Sequence, residues 1–154
     1  MKAFVRVLQD LVLLVARLVL GGVSLLHGWY RWQTVGVEGQ TQQFATAGVP
    51  APEVFAWGVT MVELIGGALL VFGLLTPLLG LVFAAQAVLS VVWVTGPNGP
   101  WVADGGFEYV AVMGALALVL AGFGAGRASI DALFRRPPAE DESDELRYDD
   151  TRQG

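Results

Sequence analysis

Four long apolar runs alternate with shorter polar connections, and this alternation dominates the sequence. The first run spans residues 8–30 and contains LVLLVARLVLGGVSLLHGWY; Lys2 and Arg6 precede it, and Trp29, Tyr30 and Trp32 close it. The others cover about residues 53–75, 78–95 and 107–123. Each approaches or reaches the roughly 18–20 apolar residues that a helix needs to cross a bilayer. The pattern predicts an all-α, polytopic membrane four-helix bundle in up-down-up-down order, because an even number of spans with short connections favours that arrangement.

The connections agree with this division. Gln33–Gln43 is polar, and Phe44 leads into Gly48-Val49-Pro50-Ala51-Pro52, so a short surface helix is expected to end near Gly48, with the prolines stopping it. Thr76-Pro77 makes a tight turn between the second and third runs. Residues 96–106, GPNGPWVADGG, form a second loop rich in turn formers. The first run is longer than a secretory signal core, carries Arg17, and has no clear small-x-small cleavage site, so it reads as a retained span. Residues 1–136 then form one four-span membrane domain, and residues 137–154 an acidic tail expected to be disordered.

Composition and charge sharpen the picture. The 154 residues are 55% hydrophobic and only 15% charged, against about a quarter charged in soluble domains. The net charge of −5 belongs to the tail, whose seven acidic and two basic side chains leave the remainder neutral. Lys2, Arg6, Arg127, Arg135 and Arg136 fall on one side of the expected membrane, against Arg31 on the other. The excess predicts that both termini of a multi-pass membrane protein are cytoplasmic. Trp29, Trp32, Trp57, Trp93 and Trp101 all fall at or beyond the opposite interface, where such side chains anchor a span. With no basic stripe, nucleic acid is not an expected partner; membrane lipids are.

Several chemistries are excluded. Without cysteine, the chain cannot exchange disulfides internally, ligate an iron–sulfur cluster or cycle thiols. With a single histidine, one subunit cannot hold a bis-histidine haem. One histidine and scattered carboxylates also make a poor metal shell, so no metal site is expected.

The polar residues inside the spans are the remaining candidates. At about 1.5 Å rise per residue, Arg17 lies roughly 14 Å into the first span and Glu63 roughly 15 Å into the second, with Gln86 at similar depth in the third. A charge at that depth is costly and needs a partner. The expectation is an Arg17–Glu63 ion pair supported by Gln86, which serves either as helix glue or as a functional level. A second level near the outer face brings His27 towards Glu108, beneath Trp29 and its aromatic neighbours. Such a pair can be structural, can exchange protons near neutral pH, or can bond a polar headgroup. No stand-alone catalytic motif accompanies either level.

These residues also carry a family resemblance. Arg17-x-x-x-Gly21, then His27-Gly28 followed by Arg31, resembles the first span of the DoxX family. Phe44 with Gly48-Val49-Pro50 resembles its first loop, Glu63-x-x-Gly66-Gly67 and Gly73-x-x-Thr76 its second span, and Gly124-x-Gly126-Arg127-x-Ser129-x-Asp131 its closing motif. The resemblance covers about residues 10–133. It implies a small four-helix bacterial or archaeal membrane protein, and for this chain a multi-pass protein of the bacterial inner (plasma) membrane. Some members are subunits of thiosulfate:quinone oxidoreductase or are linked to terminal quinol oxidase. Others accompany a superoxide dismutase and a sulfurtransferase in an actinobacterial membrane complex. By that resemblance the chain is a redox-linked membrane subunit that binds quinone or lipid and supports electron transfer by other membrane or redox proteins. Alternatively, it is a non-catalytic accessory subunit of a larger respiratory or cell-envelope complex. His27, Glu108, Trp29 and Arg31 are the expected ligand or proton-relay residues, and Arg17, Glu63 and Gln86 the intramembrane network. The family's usual lysine after His-Gly is Arg31 here, which keeps the charge and changes the hydrogen-bond geometry. No covalent cofactor is expected.

Overall fold

The computed structural model describes residues 2–127 and 129–131, with side chains from Phe4 onward. The described residues contain helices and turns and no strand. The acidic tail at 137–154, together with Arg135 and Arg136, lies outside them.

Among the described residues, three helical runs are long and apolar enough to cross a membrane: Phe4–Thr46, Pro52–Phe72 and Thr76–Asn98. The first contains α1 (Lys2–Tyr30), a π turn (Arg31–Val35) and α2 (Gly36–Thr46). Gly36, at φ +71°, turns the chain between the apolar α1 and the polar α2. The surface helix expected before Gly48 is thus present as α2. The second run contains α3 (Pro52–Met61), a π turn (Val62–Gly66) and α4 (Gly67–Phe72). The third is α5 (Thr76–Ser90), extended by a π turn (Val91–Thr95). Pro52 and Pro77 sit in the first turns of α3 and α5, where the missing N–H has no intrahelical partner to lose. The fourth apolar helix, α6 (Glu108–Phe123), has 16 residues. It is about 24 Å long, short of the roughly 30 Å hydrocarbon core.

Small residues set the packing. Gly21 of α1 lies against Gly67 of α4, where an added Cβ would stand 2.7 Å from the Gly67 carbonyl oxygen. Gly80 of α5 is equally close to Ala117 of α6. Leu20, Leu70, Phe83, Ala117 and Leu120 fill the space between these contacts. A second cluster of Phe44, Val49 and Ala56, with Phe55 and Trp93 against it, docks α2 onto α3 and the end of the third run. Outside these cores, Val12, Leu26, Phe72, Leu81, Val88, Val112 and Phe123 are exposed. So much apolar surface is unsuited to water and suited to lipid.

Candidate functional site: a polar cluster beside an apolar cavity

Of the three π turns among the described residues, two begin at or beside charged residues. Arg31 opens the turn after α1, and Glu63 is the second residue of the turn between α3 and α4. A π turn adds one residue to a helical turn and re-aims the side chains around it, and such turns concentrate at functional sites. Here the two turns face each other. Arg31 Nε lies 3.4 Å from Glu63 Oε2, and Gln86 Nε2 on α5 donates to Glu63 Oε1 at 3.0 Å. The Glu63 side chain is 8% exposed and that of Arg31 is 31% exposed, so the carboxylate is enclosed while the guanidinium reaches outward.

His27, one helical turn before Arg31, completes the cluster. Its Nδ1 lies 3.0 Å from the Val23 carbonyl oxygen. A carbonyl only accepts, so Nδ1 carries the proton, and in the neutral ring Nε2 is the free acceptor. The ring stacks on Tyr109 of α6 at 5.5 Å. His27, Arg31, Glu63, Gln86 and Tyr109 all line a small cavity of about 90 Å³.

A larger cavity of about 760 Å³ adjoins it, and His27, Arg31 and Gln86 line both. Its walls are mostly apolar: Phe44, Phe55, Val59, Val62 and Trp93 are among them. Gln40 and Gln43 of α2 add polar groups. Val54, Ala85 and Leu89 line it and are also exposed, so it has an apolar mouth between α3 and α5; His27, Tyr30 and Gln43 are exposed on its polar rim. This volume and this mixture of apolar wall with few polar groups suit a small-molecule site.

The expected pairs are rearranged. Gln86 meets Glu63 as anticipated, but the partner cation of Glu63 is Arg31, not Arg17. Arg17 is buried near the middle of α1, about 14 residues before Arg31, where Nη1 donates to the Ala125 carbonyl at 3.0 Å. Gly73 leaves room for its guanidinium, which a Cβ would overlap. Carbonyls at a helix C-terminus attract cations, and Ala125 follows the end of α6. Asp131 adds a nearby negative charge at this end. Its carboxylate accepts from the Leu75 and Thr76 amides at 2.9 and 3.0 Å. Glu108 does not meet His27 either. Its Oε1 accepts from the Val102 amide at 2.9 Å and ties down the loop before α6. The neighbouring Tyr109, about 100° around the helix, is the residue that meets His27. Trp29 is exposed and lines neither cavity. Among the described residues, no three His, Asp or Glu side chains gather as metal ligands.

The cluster and most of the cavity wall lie within residues 12–96, more than half the chain, which match the DoxX family model. The chain belongs to the DoxX family. It is also 31% identical over 109 residues to the Bacillus subtilis (strain 168) protein named "Putative oxidoreductase CatD", covering 71% of this chain and 78% of the relative. No solved structure matches it. The DoxX assignment and the three long apolar helices make this a multi-pass membrane protein.

Proposed function

We propose that this DoxX protein binds the headgroup of a quinone, or of a quinone-like lipid, in the 760 Å³ cavity and serves a redox partner in the bacterial plasma membrane. The observation that carries the reading is the placement of Arg31, Gln86 and His27 on the wall of a mostly apolar cavity that opens between α3 and α5 through an apolar mouth. An isoprenoid or alkyl tail would leave through that mouth into lipid. Arg31 Nε faces Glu63, and the terminal nitrogens of the guanidinium would donate to a carbonyl oxygen. Arg31 offsets the charge of Glu63 and Gln86 bonds its other oxygen, so Glu63 positions the guanidinium. His27 Nε2 is an acceptor suited to a phenolic hydroxyl. The chain has no cysteine and one histidine, so a partner protein would deliver or remove the electrons. The CatD relative, an oxidoreductase by name, agrees with that setting.

The contact pattern supports the expected up-down arrangement. Gly21 meets Gly67 while Gly28 meets Leu64, and Gly80 meets Ala117 while Gly114 meets Ala87, so rising numbers on one helix meet falling numbers on the next. With α6 as a short fourth span, both termini would be cytoplasmic.

The test is a titration of purified protein with a decyl-tailed benzoquinone, read by tryptophan emission, since Trp93 lines the cavity. Saturable quenching that Trp93→Phe reduces, and an affinity weakened about tenfold in Gln86→Leu by loss of a polar contact, are expected. Linear, unsaturable quenching identical in all three proteins would refute the reading.

A further inference from the structure

Gln40 carries a polar group with no partner among the described residues. It sits in the middle of α2, is 2% exposed, and lines the large cavity. Its amide meets the described protein at one atom only: the Thr60 hydroxyl oxygen lies 3.1 Å from Oε1, and Nε2 has no partner there. A buried amide left half-bonded is costly, about 1–3 kcal/mol by mutational comparisons, and such groups call for a physical explanation.

Thr60 makes the arrangement adaptable. Its hydroxyl oxygen lies 2.8 Å from the Ala56 carbonyl oxygen as well as 3.1 Å from the Gln40 amide. A hydroxyl has one proton. When that proton goes to Gln40 Oε1, Nε2 is the atom left over, and it is a donor. When it goes to the Ala56 carbonyl, Thr60 Oγ1 can accept from Nε2 after the amide turns over, and Oε1 is left over as an acceptor. Both states satisfy Thr60, and both leave one atom of Gln40 for a ligand. The two states present opposite hydrogen-bonding characters at one place.

We propose that Gln40, switched by the Thr60 hydroxyl, is a second headgroup anchor that recognises both redox forms of the ligand: it donates to a carbonyl of the quinone and accepts from a hydroxyl of the quinol. This rests on the cavity being a quinone-type site. A quinone headgroup carries two oxygens on opposite sides of its ring. The cavity is lined by Arg31 from the π turn after α1, Gln86 from α5 and Gln40 from α2, which offers polar groups from separate elements to the two oxygens.

The experiment compares the wild type with Gln40→Met and Thr60→Ser, titrated with a decyl-tailed benzoquinone and with its quinol kept reduced. Melting temperatures are recorded with and without ligand. Gln40→Met keeps the side-chain length and removes donor and acceptor together. The expected result is a loss of about tenfold in affinity for both forms, the value of one hydrogen bond. The unliganded melting temperature should stay level or rise, because a half-bonded buried amide has been removed. Thr60→Ser keeps the switching hydroxyl and should retain both affinities within about twofold. Unchanged affinity for both forms in Gln40→Met, or loss for one form only, overturns the proposal. A lower unliganded melting temperature with an undiminished ligand-induced shift also overturns it, because Gln40 is then a structural latch. If the wild type binds neither form, the cavity reading itself has failed; if the wild type binds and Gln40→Met binds equally, only the role of Gln40 has failed.

Discussion

Arg31 and Glu63 hold each other across two π turns, Nε to Oε2 at 3.4 Å, and this contact joins the first helical run to the second at the cavity. Gln86 fixes the other carboxylate oxygen from the third run. One carboxylate therefore ties three helical runs together, and its loss should be felt both in stability and at the site.

Arg31→Ala leaves Glu63 enclosed without its cation. We expect destabilisation of about 3 kcal/mol, the lower end of the range for breaking a buried pair, because Arg31 is partly exposed. The double change Arg31→Met with Glu63→Met should recover most of it, since removing both partners avoids an uncompensated charge. Reversible unfolding in mixed micelles checks the cycle; additive losses would show that the two residues do not interact.

Adjacent glycines in α1 should respond in opposite ways. A Cβ at Gly21 would press on the Gly67 carbonyl, whereas nothing lies within 4 Å of a Cβ at Gly22. Gly21→Ala should cost about 1–3 kcal/mol through overpacking. Gly22→Ala should gain up to about 1 kcal/mol through helix propensity. Melting temperatures of the two single variants give the comparison, and equal shifts would deny the close approach of α1 and α4.

Near Arg17, in the middle of α1, Asp131 bonds the amides of Leu75 and Thr76 at the start of α5. Leu75 has φ +53°, a conformation that an ordinary side chain resists, so the carboxylate also holds a strained turn. Asp131→Ala should cost about 1–2 kcal/mol, as for loss of a helix cap. Hydrogen exchange should quicken at the Leu75 and Thr76 amides and stay unchanged at the cavity. Unaltered exchange at those two amides would contradict the role assigned to Asp131.

The helices are legible in the sequence because uninterrupted apolar runs leave few alternatives. The expected limits of 53–75, 78–95 and 107–123 lie within three residues of the helical runs observed. The Glu63–Gln86 contact is legible too, because depth along two neighbouring helices can be counted. The true partner of Glu63 escapes that count for a definite reason. The first span expected from the sequence ends at Tyr30, with Arg31 just outside it, while the helix continues past Tyr30 through a π turn. The spacing of His27 and Arg31, four apart on one helical face, is the available signal. Arg17 takes the Ala125 carbonyl instead, and the glycines at 124 and 126 that end the last apolar run mark where such carbonyls become free. The Gln40–Thr60 contact has no local signal, because it depends on α2 docking onto α3 across a loop.

The most direct test of the central claim is native mass spectrometry, with lipid extraction, on protein released gently from its own membranes. One quinone or one defined quinone-like lipid per chain is expected, retained by the wild type and lost from Arg31→Ala and Gln86→Leu. Wild-type protein carrying stoichiometric partner proteins and no such molecule would contradict it, and would leave the chain an accessory subunit without a ligand of its own.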